Sequence, residues 1–239
     1  MRSILIALVF LMIGNVVSAQ TEQQPKTKKD WSKIDLSHRS ADHFLMQIGM
    51  YDWAQAPDSI NTKGVGRTFN FYLLFDFPFK SNPHISAAIG AGVGTDNIYF
   101  SDTYIDIKGI QATFTRDSIN SYKKYKMAVG FAEIPVELRY SGNPANMNKG
   151  FKFAIGAKLG TMLDAKTKAK VNLDAQGDGG YVMKIKDKSL YNTTRLVATS
   201  RIGWGHFTIF ATYTMTEFFR EFQGPTVKPW SLGLTISGL

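Results

Sequence analysis

The chain has 239 residues, a formal charge of +9, 21 glycines, 17 phenylalanines and no cysteine. Lack of cysteine excludes disulfides, thiol nucleophiles and zinc–thiolate sites together. The positive balance does not point to nucleic acid, because the basic residues alternate with apolar ones or lie in loops, without a reading helix; anionic envelope lipids or phosphates match it better.

Residues 1–19 carry Arg2, an unbroken apolar run from Ile4 to Ile13 and the ending Val17-Ser18-Ala19, the pattern of a secretory signal peptide. No later stretch reaches the roughly 18 consecutive apolar residues of a spanning helix, so a membrane-inserted mature chain must cross with strands. Residues 20–42 are polar and basic, with Lys26, Lys28, Lys29, Lys33 and Arg39, and predict a flexible periplasmic tail or short plug.

Residues 43–239 then repeat one pattern, with apolar side chains at every second position and small or polar ones between. Side chains on a strand alternate between faces, so each segment has one oily and one wet or tightly packed face. The first runs from His43 to Trp53, with Phe44, Met46, Ile48 and Met50 on the oily side. The second, Arg67 to Phe77, sets Phe69, Phe71, Leu73, Phe75 and Phe77 against Asn70, Tyr72, Leu74 and Asp76. The third sets Ile85, Ala87, Ile89, Ala91 and Val93 against Ser86, Ala88, Gly90, Gly92 and Gly94. Glycines on the inner wall of a narrow barrel leave room for Arg, Lys or Tyr from other strands.

Residues 101–126 are polar and predict strand extensions around a loop. The fourth strand, Met127 to Tyr140, turns Ile134, Val136, Leu138 and Tyr140 away from Glu137 and Arg139; Pro135 predicts a bulge or break, and the facing of residues 127–132 stays open. The fifth alternates Phe151, Phe153, Ile155, Ala157 and Leu159 with Lys152, Ala154, Gly156, Lys158 and Gly160. A long loop is predicted over residues 164–190, carrying Lys166, Lys168 and Lys170 as candidate contacts. The sixth strand, Tyr191 to Gly203, turns Arg195 and Arg201 inward; after Trp204-Gly205 the seventh starts at His206, and the eighth carries Trp230, Leu232, Leu234 and Ile236 outward.

Long and short connections alternate along this series, as they do when one end of a barrel carries loops and the other turns. The fold class is therefore all-β: a closed antiparallel up-and-down transmembrane β-barrel of eight strands, in the outer membrane, with both termini periplasmic. Aromatic residues near segment ends, Phe44, Trp53, Phe77, Tyr140, Trp204, Phe218 and Trp230, suit interfacial girdles. An eight-stranded interior is just wide enough for side chains to fill, so no open channel is predicted. The inward set Asp76, Glu137, Arg139, Lys152, Lys158, Arg195, Arg201 and His206 is enough for an internal network of ion pairs.

The Gly-rich third strand, Glu133-Ile134-Pro135-Val136-Glu137-Leu138-Arg139-Tyr140 and Phe153-Ala154-Ile155-Gly156-Ala157-Lys158-Leu159-Gly160 resemble the PorT-like outer-membrane β-barrel proteins of Bacteroidota. The resemblance covers most of the chain after residue 43 and implies an outer-membrane location with diverse roles. The chain departs from the aromatic ending common in such barrels, closing on Ser237-Gly238-Leu239.

Motifs for chemistry are sparse. His38, His43, His84 and His206 lack metal-ligand spacing, Gly90-Ala91-Gly92-Val93-Gly94 lacks the Lys-Ser/Thr of a phosphate loop, and Asp174 to Gly179 lacks the terminal Glu of a calcium loop. No catalytic residue, metal or cofactor is predicted. The expected role is a non-enzymatic, monomeric envelope barrel, structural or adaptor in kind, with a link to secretion or surface machinery. Its expected partners are outer-membrane lipid, lipopolysaccharide and an envelope protein, not nucleic acid. The alternatives are a lipid-modifying barrel hydrolase and a soluble lipocalin-like barrel, whose interior would be apolar.

Overall fold

The computed structural model describes residues 42–239 except 58, 59, 61, 102, 117–121, 172–181 and 239; the side chains at 116, 122–124, 170 and 171 are also outside the description. The expected leader and basic tail lie outside the described residues, save Asp42.

The strands are β1 (Phe44–Ala54), β2 (Gly66–Pro78), β3 (Ile85–Phe100), β4 (Thr103–Asp106), β5 (Thr113–Arg116), β6 (Tyr122–Ser141), β7 (Phe151–Val171), β8 (Val182–Lys186), β9 (Thr194–Trp204), β10 (Phe207–Thr214) and β11 (Lys228–Ser237). Eight of them, β1, β2, β3, β6, β7, β9, β10 and β11, pair antiparallel in chain order. The ring closes between β1 and β11, from Leu45↔Ser237 to Ala54↔Lys228. Closure leaves no unpaired edge around the cylinder, which is what hydrocarbon demands of strands that cross it.

Alternation decides what faces where. Phe75, Ile89, Ile134, Ile155, Ile209 and Leu234 are exposed on the outside, and the intervening positions are buried in the lumen. Residues 125–141 keep odd numbers inward throughout, so the open stretch 127–132 turns Met127, Val129 and Phe131 into the lumen. On β2 the outward series Phe69 to Phe77 makes eight steps of about 3.3 Å; at a tilt of about 40° that is about 20 Å of apolar height, close to a bilayer's apolar band.

Several boundaries differ from the sequence reading. The third, fourth and fifth strands run past the outer rim to Phe100, Tyr122 and Val171, so Lys166, Lys168 and Lys170 stand on a strand rather than in a loop, paired with β8. Pro135 sits in a continuous β6 opposite Lys158, and the register shift falls instead at Gly130/Phe131. On the β3 side the ladder lapses at Pro135, between Gly92↔Glu133 and Ile89↔Val136, without a change of register: the local break that the missing N–H predicts is there, and the bulge is not. The tight turn is Gly205-His206, not Trp204-Gly205: Trp204 pairs with Phe207, and Gly205 takes the positive φ of 61° that the first central position of a II′ hairpin needs.

The loop end is sealed by a second core that alternation does not announce. Ile60, Ile105, Ile107, Leu190, Tyr191, Phe218, Phe219 and Val227, drawn from all four long connections, pack on Trp53 and Phe100. Trp53 and Phe218 are therefore buried in this cap and do not join a girdle; their rings lie 5.3 Å apart. Tyr191 is likewise not part of the sixth strand but bridges to Phe219 and stacks on it. Phe77, Tyr140 and Trp204 remain exposed at the turn end, where Phe151 and Phe207 join them.

Candidate functional site

The lumen holds two charged layers. Nearer the loop end, Glu133 from β6 accepts from Arg195 Nε of β9 at 2.8 Å and lies 3.5 Å from Lys158 Nζ of β7. The second acceptor of Arg195 is Asp96 of β3, at 2.7 Å. Tyr72 of β2 donates to Glu133 and accepts from Lys158 at 3.0 Å. Two carboxylates face two cations, so the layer is neutral. The Arg195 guanidinium also lies 3.6 Å from the Phe131 ring centroid, shielding its face from water.

Nearer the turn end, Glu137 accepts from Arg139 Nε and Arg201 Nη2, both at 2.9 Å. Arg139 reaches Asp76 at 3.4 Å, and Ser86 donates to Asp76 at 2.6 Å. Asp42, just ahead of β1, binds Arg201 at 3.1 Å and pairs with Lys152. Three carboxylates face three cations, and this layer is neutral too. Burial raises the Asp42 pKa, but the charges of Arg201 and Lys152 outweigh it and hold the carboxyl below its ordinary value.

The inner glycines are the reason the layers fit. A Cβ on Gly160 would lie 3.0 Å from Arg195 Cγ and 3.2 Å from Glu133 Cγ; one on Gly94 would lie 3.3 Å from Glu133 Oε2. Between Tyr51, Asn70, Asp96, Arg195 and Ser231 about 10 Å³ remains, room for about one water.

The structure thus brings together Asp76, Glu137, Arg139, Lys152, Lys158, Arg195 and Arg201, in two groups. His206 is not among them. It is exposed in the β9–β10 turn, and its Nδ1 meets the Ser237 carbonyl at 2.9 Å, because the hairpin turn begins one residue later than the pattern suggests. His43 and His84 do the same at the turn end, on the carbonyls of Leu74 and Ser141. Asp42, Tyr72, Asp96 and Glu133 were missed by the sequence reading. Glu133 and Asp96 had a signal, since both lie an even number of steps from inward residues of their own strands, Glu137 and Gly94. Among the described residues no cluster of histidine, cysteine, aspartate or glutamate could hold a metal ion.

The outside of the cylinder decides the setting. A ring of exposed Phe, Ile, Leu and Val around a charged interior inverts a soluble protein and needs an apolar solvent. The model of a family described as the outer membrane protein beta-barrel domain matches residues 19–236. The chain belongs to this family. As an outer-membrane β-barrel domain, it places its apolar ring in lipid and its ion pairs in the enclosed lumen, away from hydrocarbon. The lipocalin-like alternative fails on the same observation, for its apolar face would be inside. No curated protein and no solved structure matches the chain.

Proposed function

We propose that this outer-membrane barrel is a non-enzymatic, closed, monomeric component of the cell envelope, acting as a structural element or adaptor. Both termini stand in the periplasm, and the β4–β5 hairpin and the β7–β8 pair face the cell exterior as its contact surface. The observation that carries this reading is the filling of the lumen by two neutral ion layers beneath an apolar cap, in which the described acids and bases are engaged with one another. The Glu133-Ile134-Pro135 segment and the Gly-rich β3 favour the PorT-like branch, and with it a link to secretion or surface machinery.

Ile110, 89 % exposed between β4 and β5, is the place to test the adaptor role. A photo-crosslinking residue there should give one discrete envelope-protein adduct in intact cells. Absence of any adduct from several positions on the same hairpin would remove the adaptor and leave a structural barrel. Planar-bilayer recordings of the purified chain should show no steps; steady conductance would contradict the closed lumen.

A further inference from the structure

Above the apolar ring, one side of the barrel carries cations in register. Arg67 on β2 lies beside Asn97 on β3, which pairs with Ala128 on β6, then Lys166 on β7 and Lys186 on β8. The next row is Tyr99, Lys126, Lys168 and Lys184. Neither row contains a carboxylate. Among the described residues, Asp164 lies 2.9 Å from Lys166 and 3.5 Å from Lys186, Asp52 stands on the outward face of β1 two residues from Met50, the partner of Arg67, and Lys126 donates to Asn97 at 3.1 Å.

Like charges directly opposite on neighbouring strands repel, so Lys126↔Lys168↔Lys184 and Lys166↔Lys186 work against the sheet that carries them. Lysines on an exposed edge strand discourage edge-to-edge pairing, which accounts for Lys184 and Lys186 on β8. It does not account for Lys126, Lys166 or Lys168, whose strands are paired on both sides here.

Height supplies the missing reason. Arg67 comes two residues, about 7 Å along the strand, beyond the exposed Phe69, and Lys166 three residues beyond the exposed Leu163. Side chains at that level reach the headgroup layer. On the other wall Leu196, Tyr213, Met215 and Trp230 are exposed toward the loop end, with one cation on that face, Lys228, two residues beyond Trp230 among the described strand residues there. At its β2–β3 end lies a cavity of about 310 Å³ bordered by Lys63, Val65, Arg67, Tyr99, Phe100 and Tyr125, mixing cations with apolar wall as a phosphate on a lipid-borne sugar would require.

We infer that this band binds the phosphate groups of lipid headgroups at the loop-end surface of the bilayer. With the orientation proposed above, on which the choice of leaflet rests, these are the phosphates of the outer leaflet's glycolipid. The band holds such a lipid against β2, β3, β6, β7 and β8, and the cross-strand repulsion among the lysines is relieved when the phosphates arrive.

The test uses the full mature chain in detergent, with native mass spectrometry counting bound diphosphoryl lipid A; no orientation enters it, so an inverted topology found by protease protection would overturn the leaflet and not the binding. The wild type should bind the diphosphoryl form and lose it at high salt. The variant Arg67→Gln/Lys126→Gln/Lys168→Gln/Lys184→Gln should bind about tenfold or more weakly while keeping its heat-modifiable gel shift. Lys80→Gln/Lys149→Gln, at the turn end, should bind as the wild type does. The inference is overturned if the quadruple variant binds equally, if the turn-end variant loses binding in parallel, or if inositol hexakisphosphate displaces the lipid at equal phosphate concentration. Dephosphorylated lipid A offered to the wild type decides the matter even should the quadruple variant fail to fold: equal binding of the two lipids refutes the assignment.

Discussion

Replacing Glu133 with Gln removes the charge that both Arg195 and Lys158 approach, leaving Asp96 as the layer's only carboxylate. Opposite charges about 4 Å apart attract by about 4 kcal/mol at an effective dielectric near 20. Much of that offsets desolvation, but removing one partner of a buried pair strands the other, and losses of about 3–5 kcal/mol are usual. The Tyr72 hydroxyl keeps an acceptor in the amide oxygen, so the lower half of that range is expected. With a urea slope of about 2 kcal/mol/M, the unfolding midpoint of the barrel refolded in vesicles should fall by about 1.5–2 M. Asp164→Asn supplies the contrast, because its pair with Lys166 is about one-third exposed and should move stability by less than about 1 kcal/mol. Adding Lys158→Met to the Glu133→Gln variant restores neutrality and should recover part of the loss. A midpoint for Glu133→Gln within the error of Asp164→Asn would refute the view that the lumen layer holds the barrel closed.

Three further outcomes follow from the same geometry. Gly160→Val forces carbon into the space held by Arg195 and Glu133 and should cost about 1–3 kcal/mol, read as a lower urea midpoint. Trp53→Ala empties the centre of the cap, 5.6 Å from Phe100 and 5.3 Å from Phe218; a local loss of about 3–5 kcal/mol should open the loop end to protease while the gel shift persists. Asp42 has a folded pKa held below its unfolded one, so its contribution is fully present above the unfolded value of about 3.9 and fades as pH falls through the folded value. The stability gap between wild type and Asp42→Asn should therefore be constant at neutral pH and narrow only below about pH 4.

The cylinder was legible because lipid outside and charge inside write themselves at period two. Phe69 to Phe77 and Phe151 to Leu159 announce both their strands and their faces. What alternation cannot express was missed. Trp53 sits at the end of an alternating strand, and nothing local distinguishes a ring bound for the interface from one folded under Phe218 and Phe219. Lys166 and Lys168 looked like loop residues because hydrophobicity lapses beyond the membrane, although β7 continues and buries Ala165, Thr167 and Ala169 on its other side. His206 turned on a single residue of register. Asp42 lay in a polar tail whose composition says nothing of the Arg201 and Lys152 that receive it.

Which face of the wall meets lipid is the claim on which the account stands, and the absence of native cysteine makes it directly measurable. Single cysteines at Phe75, Ile155 and Leu232, which face outward, and at Lys80 and Lys149, which are exposed in the turns, can carry a small fluorophore in vesicles doped with mid-chain spin-labelled lipid. Quenching should be strong at the first three positions and near background at the other two. The reverse pattern, or equal quenching by a water-soluble agent at Phe75, Ile155 and Leu232, would contradict the membrane-spanning barrel.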